Sequence, residues 1–220
     1  MTSVSDVWRG GVHPWAVLYR RFSESEALAR PLGRVVFGLD VRALAPPREL
    51  VDAVPDGGAV LDAPCGPGNA LEALAPAKRV RWVAADIAPA MLERTAQAAR
   101  RRGLSQVRTK EADLLALPFG DAEFDLCLSL LGLHCVPDPA GAVAELGRVL
   151  RPGGQLFGTI FVTDAGVRYW PVRQAGRAAG ILGPSGGLDD LRTWLSQAGL
   201  ELEDAERLGT IVRFRARRRG

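Results

Sequence analysis

The hydrophobic pattern changes at about residue 58, where short apolar runs begin to alternate with amphipathic stretches. The apolar runs predict strands at 58–63, 80–86, 106–111, 123–130 and 154–162. The amphipathic stretches predict helices at 68–75, 88–102 and 138–151. Strands that alternate with helices favour βαβ units, which place the strands in one parallel sheet with right-handed crossovers.

The segments on either side of this region have other patterns. Residues 1–55 are helical in tendency and predict an N-terminal helical cap. Residues 163–187 contain several glycines and two prolines, which predicts a loop-rich, lid-like insertion. A further helix is predicted at 188–198, and the runs at 201–205 and 210–217 are expected to pair as antiparallel closing strands.

A length of 220 residues with 47% hydrophobic content is suited to one domain with an ordinary core. We therefore expect a single domain over 1–220, with its core at 56–162 and its C-terminal helix and closing strands at 188–220. The formal charge of +3 is too small to argue for a nucleic-acid partner. Most basic residues are arginines, which together with abundant Ala, Gly and Pro indicates a GC-rich genome, and we expect a bacterial protein.

The cysteines and the apolar runs exclude other classes. Cys65, Cys127 and Cys135 are odd in number and form no CxxC pair, so neither a disulfide framework nor a metal site is expected. The N-terminus has no signal-like apolar region, and the longest apolar stretch, near 126–136, is too short to cross a bilayer. We expect a cytoplasmic protein without membrane insertion.

The most specific motif is the segment 59–69, which has the sequence AVLDAPCGPGN. A buried strand ends in Asp62 and is followed by a tight turn that contains Gly66 and Gly68. Glycines are needed where the backbone approaches a ligand closely or adopts dihedral angles that a Cβ forbids. The alternative interpretation is a tight strand-to-helix turn that binds nothing.

Two further acids stand at predicted strand ends. Asp86 lies about 20 residues beyond the glycine turn, where an acid can accept hydrogen bonds from both ribose hydroxyls of an adenosyl ligand. It could equally cap the helix that begins near Ala88. Asp113 could accept from an adenine amino group beside the apolar Leu114, or it could cap a turn.

Two more segments complete the set. Residues 124–134 form a central strand that runs into a loop at the carboxyl edge of the sheet, where open α/β sheets bind ligands. Residues 148–154 end a helix and turn sharply, through Pro152 and two glycines, into the next strand.

In this order and spacing, the five segments resemble the class I S-adenosylmethionine-dependent methyltransferases, and are closest to the ubiquinone, menaquinone and natural-product enzymes among them. The resemblance covers residues 58–162 well and the rest in outline. It implies a Rossmann-like, seven-stranded, mostly parallel sheet with helices on both faces and one antiparallel C-terminal strand. It also implies S-adenosylmethionine as cofactor and S-adenosylhomocysteine as product.

The resemblance further implies which residues hold the cofactor. Those around its methionine portion would be Asp62, Ala63, Gly66 and Gly68, with backbone from Leu130 near the amino group. Those around its nucleoside would be Asp86 at the ribose, and Ile87, Met91, Asp113 and Leu114 at the adenine. The family often has glycine where this chain has Pro64.

His134 lies where the family commonly has a histidine, just past the fourth strand. A neutral imidazole there could take a proton from the methyl acceptor as a catalytic base. The alternative interpretation is a histidine that hydrogen-bonds the backbone and shapes the loop.

Four aromatic residues outside the core are candidates for an acceptor-binding cover: Trp15, Tyr19, Tyr169 and Trp170. Ordinary core packing is the alternative. The predicted function is methyl transfer to a lipophilic or aromatic small molecule at O, N or C, by a monomer or homodimer that binds no nucleic acid. Two other functions stay open. One is a nucleic-acid methyltransferase, because arginines are frequent at 213–219, and the other is a non-methylating cofactor binder such as a cyclase.

Overall fold

The protein is represented by a computed structural model, which describes residues 44–164, 170–178, 180 and 182–220. The candidate acceptor residues Trp15, Tyr19 and Tyr169, together with the Trp170 side chain, lie outside what is described. Most of the predicted N-terminal cap lies outside it too.

Seven strands form one sheet in the order β3-β2-β1-β4-β5-β7-β6. Their bounds are Ala59–Asp62 (β1), Arg81–Asp86 (β2), Val107–Glu111 (β3), Phe124–Leu130 (β4), Leu150–Phe161 (β5), Leu200–Leu208 (β6) and Ile211–Arg218 (β7). The first five strands pair in parallel, and β7 runs antiparallel to both of its neighbours, β5 and β6. The predicted mostly parallel sheet and its antiparallel closing strand are therefore confirmed.

The helices lie on both faces of the sheet, as predicted. Within the described residues, the α-helices are Arg48–Asp52 (α1), Pro89–Arg101 (α2), Pro139–Val149 (α3), Trp170–Ala178 (α4) and Leu188–Gln197 (α5), with short 3₁₀ helices at Asn69–Ala73 and Leu133–Cys135. Successive residues of β1 point to opposite faces, as a strand requires. Leu61 packs in one buried cluster with α3 and α5, whereas Val60 packs in the other with α1, α2 and the first 3₁₀ helix.

The helix expected at 68–75 was wrong in type and length, because the structure has only the 3₁₀ helix Asn69–Ala73. Gly68 precedes this helix with a left-handed backbone (φ 91°), and Leu74 after it is already extended. Pro76 disfavours helical dihedrals at the residue before it, so the helix has no room to continue. The insertion at 163–187 is not all loop, because it contains α4.

No helix within the described ranges is long and apolar enough to cross a membrane.

The β5–β7 pairing depends on a glycine at position 158. A Cβ added to Gly158 would lie 2.4 Å from Cζ of Phe214, its cross-strand partner, which is only 1% exposed. Gly158→Ala should therefore lower the free energy of unfolding by about 1–3 kcal/mol, as overpacking of a core does. Urea denaturation measures this. Gly120→Ala is the matched control, because its Cβ would meet nothing closer than 3.8 Å. Equal stability of the two variants would contradict the prediction.

Candidate cofactor site

The candidate residues from the strand ends come together at the carboxyl edge of the sheet. Asp62 ends β1, Asp86 ends β2 and Leu130 ends β4. These strands are neighbours in the order β2-β1-β4, so their ends lie side by side. The loop after β1 leads to one face of the sheet and the loop after β4 leads to the other, which opens the crevice where such sheets bind ligands.

The glycine turn after β1 has two positions with left-handed backbone, Gly66 (φ 53°) and Gly68 (φ 91°). At Gly68 a Cβ would lie 3.2 Å from Oγ1 of Thr95, so this glycine permits the turn to pack against α2. At Gly66 a Cβ would meet nothing within 4 Å. Gly66 therefore borders open space, and its backbone is accessible to a ligand at this edge of the sheet.

Hydrogen bonds from three elements hold the turn. Ala63 N–H donates to the Leu128 carbonyl of β4 (2.9 Å), and Cys65 N–H donates to the Ala85 carbonyl of β2 (2.8 Å). The hydroxyl of Thr95, on α2, donates to the Gly66 carbonyl (2.9 Å).

Thr95 is fully buried, and it was not among the site residues predicted from the sequence. The sequence could have indicated it, because Thr95 is a polar residue placed between Met91 and Ala99 on the buried face of α2. Because its hydroxyl holds the Gly66 carbonyl, Thr95 sets the shape of the glycine turn without belonging to any strand end.

Asp86 connects this turn to the start of α2. One carboxylate oxygen accepts from Gly66 N–H (2.9 Å) and the other from Ala88 N–H (2.9 Å). Ala88, rather than Asp86, is the N-cap residue of α2. Burial raises the pKa of Asp86 above its ordinary value, and these backbone donors oppose that rise. Each oxygen retains a second lone pair, so the carboxylate can still accept from a diol.

Asp62 is the unusual group of the site. It is 1% exposed, and neither carboxylate oxygen has a hydrogen-bond partner among the residues that the structure describes. Burial, together with the charge of Asp86, raises the pKa of Asp62 well above its ordinary value. A buried carboxylate without a partner is costly, so the site is suited to a cationic ligand group. The cationic amino group of a bound amino-acid portion would meet that need.

The remaining nucleoside candidates differ in exposure. Ile87 is partly exposed, whereas Met91 is 8% exposed and Leu114 is 6% exposed. Leu114 packs in the same cluster as α3 and α5. An oxygen of Asp113 accepts from Leu115 N–H (3.0 Å), so this acid shapes a turn whether or not it also meets adenine. The adenine contacts stay a prediction.

The loop after β4 accommodates the unusual Pro64. A Cβ on Gly132 would lie 2.1 Å from Cδ of Pro64, so the proline ring fits only because residue 132 is glycine. Leu131 has a left-handed backbone (φ 54°), and its N–H donates to both the carbonyl and the hydroxyl of Thr159 (3.0 Å each). The two loops that border the crevice are thus in direct contact.

His134 lies in the second 3₁₀ helix and is 8% exposed. Its Nδ1 accepts a hydrogen bond from Phe161 N–H (3.2 Å). Burial lowers the pKa of His134 to about 4, so the ring is neutral at pH 7. Its predicted role as a catalytic base stays a prediction. The described residues contain no group of three or more His, Cys, Asp or Glu side chains that could hold a metal ion.

Known proteins resemble this chain in sequence and fold. Residues 61–158 match the methyltransferase domain family. The chain is 32% identical over 161 residues to the 27-O-demethylrifamycin SV methyltransferase of Amycolatopsis mediterranei, covering 71% of this chain and 59% of that one. It is 32% identical over 176 residues to the demethylmenaquinone methyltransferase of Deinococcus radiodurans, covering 73% and 69%. Among solved structures, the cyclase SpnF superposes with a TM-score of 0.65 at 23% identity, covering 78% and 79%.

The extent of these matches defines the class of the protein. It belongs to the class I S-adenosylmethionine-dependent methyltransferase family, since its fold, the matched methyltransferase domain and its 32% identity to the menaquinone enzyme agree. The chain spans 59% of the rifamycin enzyme's length. At 23% identity, the likeness to the cyclase concerns the fold alone.

The unpaired carboxylate predicts a stability difference in the cofactor-free protein. The pKa of Asp62 is raised in the folded state, so between its unfolded and folded pKa values only the folded chain holds the proton, and stability falls as pH rises through that window. Asp62→Asn removes this titration. We expect the variant to be more stable than wild type at pH 8 by about 1–3 kcal/mol, with the difference disappearing towards pH 4.

Urea denaturation of both proteins at several pH values is the measurement. Asp86 also has a raised pKa and makes the stability of both proteins depend on pH. The role of Asp62 is therefore measured by the difference in unfolding free energy between variant and wild type at each pH. A variant that is less stable than wild type at pH 8 would show that Asp62 has a partner in the folded chain.

Proposed function

We propose that this protein transfers the methyl group of S-adenosylmethionine to an oxygen, nitrogen or carbon atom of a lipophilic or aromatic small molecule. The observation that carries the proposal is the buried, unpartnered carboxylate of Asp62 beside the open space at Gly66. A turn that bound nothing would have no reason to retain a buried acid without a partner. Members of the family use S-adenosylmethionine, and this arrangement fits that cofactor.

Asp62, Ala63, Gly66 and Gly68 would hold the methionine portion, with backbone from Leu130, and Asp86 would hold the ribose. The bound cofactor supplies an electrophilic methyl group on a sulfonium centre. The protein's part is to fix the position of the cofactor, and the hydrogen bonds from β2, β4 and α2 make the glycine turn a rigid support.

Alignment and exclusion of water can supply most of the acceleration of such a displacement. The strand ends suit this role because Asp62 and Asp86 are almost fully buried. A catalytic base is not required when the acceptor is already nucleophilic.

The arginines near the C-terminus support a small-molecule acceptor over a nucleic acid. Arg215 and Arg217 pair with Glu203 (3.1 and 2.5 Å), and Arg213 pairs with Glu206. Arg218 donates to the carbonyls of Arg148 and Leu150. These side chains are engaged by acids of β6 and by carbonyls of α3 and β5, whereas phosphate tracking requires a continuous basic stripe. Two relatives are named for a menaquinone precursor and a rifamycin, which are small molecules.

Calorimetry with S-adenosylhomocysteine tests the site. Asp86→Asn should weaken binding about 30-fold, and Asp62→Asn about 10-fold or more, because each removes a buried anionic acceptor. Asp189→Asn is the matched control, since its side chain is 94% exposed on α5, and it should bind within about two-fold of wild type. Wild-type affinity in both buried variants would overturn the site.

Turnover is tested by incubating the protein with methyl-labelled S-adenosylmethionine and apolar cell extracts. A labelled product in the organic phase supports methyl transfer. Tight cofactor binding without any labelled product would instead assign a non-methylating role, such as that of a cyclase.

The acceptor class predicts no response to nucleic acid. At micromolar tRNA or duplex DNA in moderate salt, the melting temperature should stay unchanged. A large shift that is lost in Arg215→Gln/Arg217→Gln would favour a nucleic-acid methyltransferase. The arginines are substituted rather than removed with the C-terminal residues, because residues 211–218 form β7 and are part of the sheet.

A further inference from the structure

The imidazole of His134 lies where three segments of the chain meet. Its Nδ1 accepts from Phe161 N–H at the end of β5 (3.2 Å), and its backbone carbonyl accepts from Gly183 N–H (2.8 Å). The ring also lies against the Phe161 ring, with 6.0 Å between centroids. A residue of the loop after β4 therefore contacts both β5 and the end of the insertion at 163–187.

Backbone contacts also join these segments. A Cβ on Gly183 would lie 2.0 Å from the Val136 carbonyl oxygen, so the two backbones pack directly on one another. The insertion is closed at its base, because Thr163 N–H donates to the Gly186 carbonyl (3.0 Å). The loop after β4 is also held to β5 by the two hydrogen bonds from Leu131 to Thr159.

The hydrogen bond from Phe161 N–H fixes which nitrogen of the ring carries the proton. Nδ1 can accept from an N–H only when it carries no proton. The neutral ring then carries its proton on Nε2, which is a donor. In this state neither nitrogen has a lone pair available to remove a proton from an acceptor.

We propose that His134 is a positioning residue: as a neutral acceptor, its ring holds the loop after β4 to the end of β5 and thereby fixes the backbone carbonyl to which Gly183 of the 182–187 segment binds. The proposal rests on the proposed function, because that loop directly follows Leu130 and contacts Pro64 of the cofactor turn. Unlike the catalytic-base hypothesis, it requires only that the side chain has a hydrogen-bond acceptor at the Nδ1 position and does not titrate near neutral pH.

The first experiment is NMR of the whole protein labelled with ¹⁵N, which reports the tautomer and the titration of histidine rings. The chain has only two histidines, His13 and His134, so the signal lost in His134→Asn identifies the second. We expect an unprotonated Nδ1, a protonated Nε2 and no titration between about pH 5.5 and 9. A ring that titrates near pH 7, or that carries its proton on Nδ1, would overturn the proposal in favour of the base.

The second experiment compares three variants by hydrogen exchange and by calorimetry with S-adenosylhomocysteine. Asn places its amide oxygen at the same bond distance from Cα as Nδ1, Gln places it one bond further out, and Leu has no acceptor. Exchange at the Phe161 and Gly183 amides should stay slow in His134→Asn and become faster in the Gln and Leu variants. Ligand affinity should stay within about three-fold in Asn and fall about ten-fold in Leu.

The outcomes separate this proposal from the function it rests on. A wild-type protein that does not bind S-adenosylhomocysteine defeats the proposed function, whatever the histidine spectra show. A wild-type protein that binds, with equally protected Phe161 and Gly183 amides in Asn and Leu, shows that the ring positions nothing.

Discussion

The arrangement of this protein depends on the pairing of β1 between β2 and β4. β1 comes first in sequence among the strands of the described residues, yet it lies inside the sheet, and the chain builds outward from it in both directions. The loops that leave β1 and β4 must therefore diverge to opposite faces, and a crevice opens between them. The backbone polar groups at these strand ends leave the ladder there, so they are available to a ligand or to the turns that surround one.

The crevice is shaped by contacts between its two borders. Pro64 on the β1 side fits against Gly132 on the β4 side, and Ala63 N–H donates across to β4. Each border is also held by a buried threonine, Thr95 for the glycine turn and Thr159 for the loop after β4. Several independent hydrogen bonds thus hold left-handed backbone at Gly66 and Leu131, where it is strained for a residue with a Cβ.

The electrostatics of the site oppose the stability of the ligand-free fold. Asp62 and Asp86 are buried close enough that the charge of Asp86 contributes to the raised pKa of Asp62. Asp86 is compensated by two backbone donors, whereas Asp62 has no such compensation among the described residues. A cationic ligand removes this cost on binding, so the destabilised carboxylate favours the bound state.

Local pattern by itself determined the five parallel strands, the helices α2 and α3 and the positions of Asp62, Asp86 and the glycine turn, because a period of two or 3.6 and the need for Gly in tight turns act over a few residues. Tertiary structure decided the rest. That Asp86 bonds the Gly66 amide, that Thr95 supports the turn and that His134 accepts from Phe161 depends on residues 20, 29 and 27 positions apart. The short 3₁₀ helix after the turn was also missed, because it depends on the left-handed Gly68 packing against Thr95 of α2. Such contacts form only when the sheet brings strand ends together, and no periodicity along the chain records them.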